Sequence, residues 1–74
     1  MKLSEIKTAG KYVYFCCKDK EMDSVLRSYG FLCGMEVEIE TISKRSFVVK
    51  VLGAKYSLNK ELANVIELKE NVYE

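Results

Sequence analysis

Histidine, proline and tryptophan are absent from this 74-residue chain, and these absences exclude several classes of site. Without histidine, the chain cannot build a Ser/His/Asp set, and a cysteine nucleophile would lack its usual base. A zinc site would need thiolates and carboxylates alone, or ligands from another chain. There is also no glycine loop of the G-x-x-x-x-G-K type that cradles phosphates. Catalysis therefore has no recognisable starting point in the sequence.

A strong excess of either charge is also lacking, because 12 basic residues oppose 11 acidic ones and the net charge is +1. Nucleic-acid-binding domains usually carry a clustered basic excess, so we expect no nucleic-acid partner. No apolar run approaches the roughly 20 residues of a membrane-spanning helix. Residues 1–5 contain no apolar signal core. We therefore expect a cytoplasmic protein that does not insert into a membrane.

The length and the cysteine content limit the architecture further. A chain of 74 residues makes one domain with a thin core, and its apolar fraction of 49% is enough to pack one. We predict a single domain over residues 1–74, with a core over about 3–68 and a polar, frayed end over 69–74. Three cysteines, two of them adjacent at Cys16 and Cys17, cannot all pair with one another, which fits a reducing compartment.

One short helix is predicted after the first strand. Asp19 is a suitable N-cap, because its carboxylate can accept a free backbone N–H of the first turn. Gly30 can adopt the left-handed conformation that ends a helix. Four apolar residues between them follow the helical spacing i, i+3, i+4 and i+7 and predict a buried stripe. They are Met22, Val25, Leu26 and Tyr29.

Five short strands are predicted from runs of β-branched, aromatic and alternating residues. They cover residues 12–17, 36–42, 46–52, 55–58 and 65–68. The first is apolar at nearly every position, so we expect both of its faces to be covered. Gly53 predicts a bend or bulge, and Asn59 is expected to cap a single helical turn before the last strand.

The second and third strands form a predicted hairpin with a defined register. A loop over residues 43–45 makes paired residue numbers add up to 88, and three apolar or β-branched pairs then share one face. Those pairs are Val37 with Val51, Ile39 with Val49 and Thr41 with Phe47. On the other face Glu38 meets Lys50, which is a favourable cross-strand pair.

Together these elements predict a mainly β fold. Leu3 and Ile6 are spaced to anchor a lead-in segment on the core, and Gly10 opens the turn into the first strand. So short a chain of strands avoids exposed sheet edges by curling toward closure. We therefore predict a small, partly open, SH3-like barrel of about five strands with one short helix.

Glycines and core residues follow one order and spacing over residues 3–68. They are Leu3, Ile6, Gly10, Leu26, Gly30, Phe31, Gly34, Val49, Val51, Gly53, Leu58, Ala63, Ile66 and Leu68. This pattern resembles the FeoA family, small cytosolic SH3-like proteins that accompany the ferrous iron transporter FeoB. Family members usually place proline before two turn glycines, where this chain has Ala9 and Cys33. Without these prolines, the two turns are expected to be less rigid.

The resemblance implies a non-enzymatic cytoplasmic accessory protein of ferrous iron uptake, without a cofactor, that binds the cytosolic part of a FeoB-type transporter and modulates it. The resemblance does not decide whether the protein also forms a weak homodimer. The same barrel resembles the C-terminal domain of iron-dependent DtxR-type repressors, but a stand-alone chain without a helix-turn-helix favours the transporter accessory.

The segment from the helix end into the next strand is the predicted partner-binding surface. Aromatic, methionine and arginine side chains are typical of interface centres, and exposed apolar patches mark partner surfaces. The predicted residues are Arg27, Tyr29, Phe31, Leu32 and Met35. The alternative is that Phe31 and Met35 simply plug the end of the barrel.

A metal- or redox-sensing module is the alternative function. Cys16 and Cys17 point to opposite faces of a strand, so they cannot easily share one ion, and Cys33 lies in a turn where it can be oxidised. Three carboxylates on one strand face could bind a divalent cation, or could form a solvated face balanced by the nearby cations of Lys50, Lys44 and Arg45. They are Glu36, Glu38 and Glu40. We predict no metal site.

Overall fold

The structure, a computed structural model, describes residues 1–70, so residues 71–74 of the predicted frayed end lie outside the described residues. A short 3₁₀ helix comes first, at Leu3–Glu5. The strands are β1 (Gly10–Cys17), β2 (Glu36–Ile42), β3 (Ser46–Val51), β4 (Ala54–Asn59) and β5 (Ile66–Glu70). The helices are α1 (Lys20–Tyr29) and α2 (Lys60–Val65). The mainly β prediction is confirmed.

All five strands form one antiparallel sheet in the order β4-β3-β2-β1-β5. Within residues 1–70, the edge strands β4 and β5 do not pair with each other, and α2 connects them along the chain. The barrel is therefore partly open, as predicted. Its core is apolar, since no polar or charged residue among those described is buried. The core residues are Leu3, Ile6, Tyr14, Leu26, Phe31, Val37, Ile39, Phe47, Val49, Val51, Leu58, Ala63, Ile66 and Leu68.

Strand β1 is covered on one face only, so the prediction of two covered faces is wrong. Tyr14 is its one fully buried residue, whereas 44% of Phe15 is exposed. β1 lies between β2 and β5 and forms hydrogen bonds along both edges, but an antiparallel sheet of this size packs a core against one face. A bulge between Tyr14 and Cys16 shifts the pairing with β5.

Helix α1 begins and ends where the sequence predicts. The Asp19 carboxylate accepts the backbone N–H groups of Glu21 and Met22, at 3.0 and 3.2 Å. Gly30 has a φ of 103°, and its N–H donates to the Arg27 carbonyl. The predicted buried stripe is mostly wrong, however: only Leu26 is buried, and the other three members are exposed. The helix packs mainly against β1, so a single residue of the stripe reaches the core.

The β2–β3 register is confirmed in its first half and wrong in its second. Ile39 faces Val49 as predicted, but Thr41 faces Val48 instead of Phe47. The hairpin is closed by the Ser43 N–H donating to the Ser46 carbonyl, which leaves a two-residue tip at 44–45. A two-residue tip, instead of the predicted three-residue loop, shifts the pairing near the tip by one residue. A bulge between Ile39 and Thr41 accommodates this shift, and Thr41 is exposed.

The last two elements are longer than predicted. Asn59 caps α2 as expected, with its side-chain oxygen accepting the Leu62 N–H at 2.8 Å, but the helix runs for six residues rather than a single turn. Strand β5 includes Lys69 and Glu70, which the sequence assigned to the frayed end. They pair with Val13 and Tyr12 of β1.

A two-residue turn joins β3 to β4, where the sequence predicted only a bend or bulge at Gly53. Leu52 has a φ of 51° and Gly53 a φ of 81°. Positive φ at both central residues is the type I′ arrangement, which matches the twist of a hairpin and favours Asn-Gly. A left-handed leucine costs roughly 1–2 kcal/mol, so this turn is strained at Leu52.

We expect Leu52→Asn to raise the free energy of unfolding by up to about 1 kcal/mol, because asparagine tolerates the left-handed region that leucine does not. Leu52→Ile is the matched control and should lower it, since β-branched residues are outliers at positive φ. Urea titration followed by circular dichroism measures both. Equal stability of the two variants would contradict strain at this residue.

Candidate partner-binding surface

The end of α1 and the β3–β4 turn meet in one contact. The Leu52 side chain lies directly over Gly30: a Cβ atom at Gly30 would be 2.8 Å from the Leu52 Cδ1 atom. Such a distance is too short for two carbon atoms, so any larger residue at Gly30 would displace Leu52. Gly30 therefore serves twice, as the left-handed stop of α1 and as the surface on which Leu52 rests.

A pair of stacked tyrosines fixes this region to the sheet. The rings of Tyr29 and Tyr56 are nearly parallel, with centroids 4.5 Å apart and planes 10° apart. The Tyr56 hydroxyl also donates to the Tyr29 carbonyl at 3.4 Å. Aromatic pairs of this kind contribute about 0.5–1.5 kcal/mol beyond the area that they bury. They hold the last residue of α1 against β4.

The resulting surface is apolar and open to solvent. Leu52 is 72% exposed, Leu32 is 50% exposed and Tyr29 is 37% exposed. We call Tyr29, Gly30, Leu32 and Leu52 the apolar corner. Single exposed apolar residues are common, but a group at one place, built around a strained leucine, is the pattern expected of a contact surface.

The five residues predicted to bind a partner divide into two groups in the structure. Tyr29 and Leu32 are exposed at the apolar corner, and Arg27 is exposed two residues before Tyr29, where its Nε atom donates to the Asp23 carboxylate at 3.0 Å. Phe31 is buried, and Met35 is partly buried against the core, so the end-plug alternative describes these two.

Sequence reasoning missed Leu52. The predicted third strand, over residues 46–52, ends on this leucine, because Leu-Gly is not one of the usual two-residue turn pairs such as Asn-Gly or Asp-Gly. The exposure of its side chain could not be read from the sequence, because it depends on how the β3–β4 turn meets the end of α1.

All three cysteines line one cavity of about 560 Å³, beside Tyr14, Asp23 and Arg27. Cys17 is partly buried, and its thiol donates to the Asp19 carbonyl at 3.4 Å. Burial raises the pKa of the Cys17 thiol, the hydrogen bond to the Asp19 carbonyl lowers it by less, and the nearby carboxylates of Asp23 and Asp19 raise it further, so that the pKa lies above its ordinary value. Within residues 1–70, no three His, Cys, Asp or Glu side chains are arranged to hold a metal ion.

Lysines of neighbouring strands lie beside two of the three carboxylates predicted on one face of β2. Glu40 forms an ion pair with the Lys55 ammonium of β4 at 3.0 Å, and Glu38 lies opposite Lys50 on β3. The sequence proposed Lys50, Lys44 and Arg45 as the balancing charges; the structure adds Lys55. The sequence does not indicate this ion pair, because β2 and β4 are not consecutive strands. The sheet order, with β3 between them, brings Lys55 near Glu40.

We expect the three thiols to react with Ellman's reagent in a fixed order. Cys33, which is exposed, should react first, and Cys17 last, because burial and a raised pKa keep its thiol protonated near neutral pH. Mass spectrometry of peptides from partly modified protein measures the order. In denaturant all three should react alike; equal rates for Cys17 and Cys33 in the folded protein would contradict the burial argument.

Tyr14 places a buried hydroxyl at the edge of the same cavity. Its hydroxyl donates to the Asp23 carboxylate at 3.3 Å, and its ring packs edge-on against Phe31 with centroids 5.6 Å apart. Burial is the main cause that raises the pKa of Tyr14, and the neighbouring Cys17 and Asp23 raise it further. The hydroxyl therefore stays protonated in the folded state.

This pKa shift predicts how stability depends on pH. The unfolded tyrosine ionises near pH 10, at about its ordinary pKa, while the folded one keeps its proton, so the stabilisation is present below about pH 10 and falls as pH rises further. Tyr14→Phe should lose less stability between neutral and high pH than the natural protein. Tyr12→Phe, which removes an exposed hydroxyl bonded to Thr8, is the control. Identical pH profiles for both variants would contradict this role.

No protein-family model matches the sequence, and no curated protein matches it. Solved structures do match. A FeoA protein from Chlorobium tepidum has a TM-score of 0.85 and 17% sequence identity, over 100% of this chain and 73% of that one. No helix within residues 1–70 is both long and apolar enough to cross a bilayer.

Two further structures give the same result. A crystal structure of an iron uptake regulatory protein (FeoA) has a TM-score of 0.78 and 20% identity, over 93% of each chain. A FeoA-like protein from Clostridium acetobutylicum has a TM-score of 0.83 and 18% identity, over 100% of this chain and 90% of that one. The chain therefore has the fold of these FeoA proteins, which confirms the fold that the sequence resemblance implied.

Proposed function

We propose that this chain is a FeoA-type accessory protein of ferrous iron uptake, and that it works in the cytoplasm by binding the cytosolic part of a FeoB-type transporter. Two independent observations support the proposal. The fold is that of FeoA proteins over the full described length, and the spacing of turn glycines and core residues follows the family over residues 3–68.

The apolar corner is the surface that we propose for the transporter. Leu52 carries the argument, because its backbone is strained while its side chain is 72% exposed. A leucine held at positive φ and left in solvent contributes little to the stability of the isolated chain. Strain of this kind persists where function maintains it, and an apolar side chain in solvent gains free energy when a partner covers it.

The proposed mechanism is contact alone. Leu52, Leu32 and the exposed part of the Tyr29 ring would enter an apolar groove of the partner, while the Arg27 guanidinium would lie at the rim. Leucine and tyrosine inside, with a charged rim, is the usual anatomy of a protein interface. The Tyr29–Tyr56 stack presents this surface without reordering, which lowers the entropic cost of binding.

The corner is also small. Four residues are a minor part of the roughly 20–30 residues on each side of a stable interface. We therefore propose a reversible complex rather than a permanent one, and the same comparison argues against a stable homodimer through this corner alone.

Two variants test the surface without confusing binding with folding. Leu52→Asn removes the apolar side chain while relieving strain, so it should weaken binding to the purified cytosolic domain of the transporter about tenfold although the protein becomes more stable. Leu32→Asp should weaken binding at least as much. Isothermal titration calorimetry with that domain measures both, and Tyr29→Ala extends the test.

Met22→Asp is the matched control for an apolar-to-acidic change. Met22 is exposed in the first turn of α1, away from the apolar corner, where an acidic residue suits the helix dipole. It should bind like the natural protein. The proposal fails if the natural protein does not bind the domain, or if Leu52→Asn and Leu32→Asp bind as tightly as Met22→Asp.

A further inference from the structure

The end of the molecule opposite the apolar corner carries a cleft lined by three lysines. β3 begins beside the 44–45 tip and ends at Val51, next to Leu52, so its six residues, about 20 Å of strand, separate the two regions. The cleft has a volume of about 390 Å³. We call it the basic cleft and define it by Lys7, Lys44 and Lys60.

The three lysines come from three separate segments. Lys7 follows the 3₁₀ helix, Lys44 is in the tip of the β2–β3 hairpin, and Lys60 is the first residue of α2. Their convergence is thus a product of the fold rather than of a basic run in the sequence. Arg45, next to Lys44 in the same tip, is exposed and adds a fourth positive charge nearby.

No acidic residue lines the cleft, and the three ammonium groups have no ion pair with any residue of the described chain. Elsewhere the described carboxylates of Asp23, Glu40 and Glu67 do have cationic partners. The near-zero net charge therefore hides a local excess of positive charge at one end. Three like charges around one concavity repel one another, and an anion between them would relieve that repulsion.

Besides the lysines, the cleft is lined by Ile6, Ile42 and Phe47, of which Ile6 and Phe47 are buried in the core, and by Ser4 and Ser43. The apolar part of this lining lowers the local dielectric constant and so strengthens the attraction of the lysines for an anion. Lysine binds phosphate as a compact point charge, and a few hundred cubic ångströms is the size range of small-molecule sites. We propose that the basic cleft binds a phosphate group, carried either by a soluble anion or by the headgroup of an anionic lipid.

Pyrophosphate and lipid vesicles distinguish the two sources. Pyrophosphate is titrated into ¹⁵N-labelled protein, with sodium chloride at matched ionic strength as the reference, and shifts of the Lys7, Lys44 and Lys60 amides are followed. Co-sedimentation compares vesicles of phosphatidylcholine with and without phosphatidylglycerol. We expect one of the two probes to bind, and binding to weaken as salt is raised.

The decisive variant is the triple change Lys7→Gln, Lys44→Gln and Lys60→Gln. It should weaken binding about tenfold or more, because three exposed charges act on one anion although each contributes little alone. The charge-matched control changes Lys18, Lys20 and Lys55 to glutamine; these lysines lie outside the cleft lining. The control should stay within about twofold of the natural protein.

Each outcome decides the proposal. Binding of pyrophosphate that the cleft variant loses supports a soluble ligand, and binding of phosphatidylglycerol vesicles that it loses supports a lipid headgroup. Failure of the natural protein to bind either probe overturns the proposal, as does equal weakening by the control, which would show an effect of net charge alone. Leu52→Asn should keep full anion binding, so this result is independent of transporter binding.

Discussion

The contact of Leu52 with Gly30 is the constraint on which the proposed binding surface depends. A Cβ atom at Gly30 would approach the Leu52 Cδ1 atom to 2.8 Å, so a glycine at the end of α1 lets the left-handed Leu52 of the β3–β4 turn rest on the backbone there. The stacked rings of Tyr29 and Tyr56 join the end of α1 to β4, the strand that follows this turn. The end of α1 and the β3–β4 hairpin, which are distant in sequence, are thereby held together at one corner, and the apolar side chains there remain in solvent.

The molecule is divided by the direction of its strands. β3 runs from the hairpin tip that carries Lys44 of the basic cleft to the turn that carries Leu52 of the apolar corner, while the core occupies one face of the sheet. Turns at the ends of a packed sheet are free to carry contact residues because they contribute little to the core. A small chain can therefore present two surfaces of different chemistry, one apolar and one cationic, that partners could occupy at the same time.

Much of the fold follows from local chemistry. Asp19 and Gly30 bound α1 as predicted because capping needs only a carboxylate and a residue that tolerates positive φ. The Ile39–Val49 pair was predictable because the alternation of apolar and polar residues places both side chains on the core face. The pairing of Phe47 with Ile42, rather than with Thr41, was not predictable. It depends on the length of the hairpin tip, which is set by hydrogen bonds between Ser43 and Ser46 that several loop lengths could satisfy.

The sequence by itself determined the number and order of the strands, both ends of α1 and the apolar character of the core, because these depend on residues close together along the chain. The tertiary structure alone decided which apolar residues stay outside. Met22 and Val25 follow the same helical spacing as Leu26, but only Leu26 meets the core, because α1 packs mainly against one strand. It also decided that Leu52 is exposed and that three lysines share one cleft, since both depend on where distant segments meet.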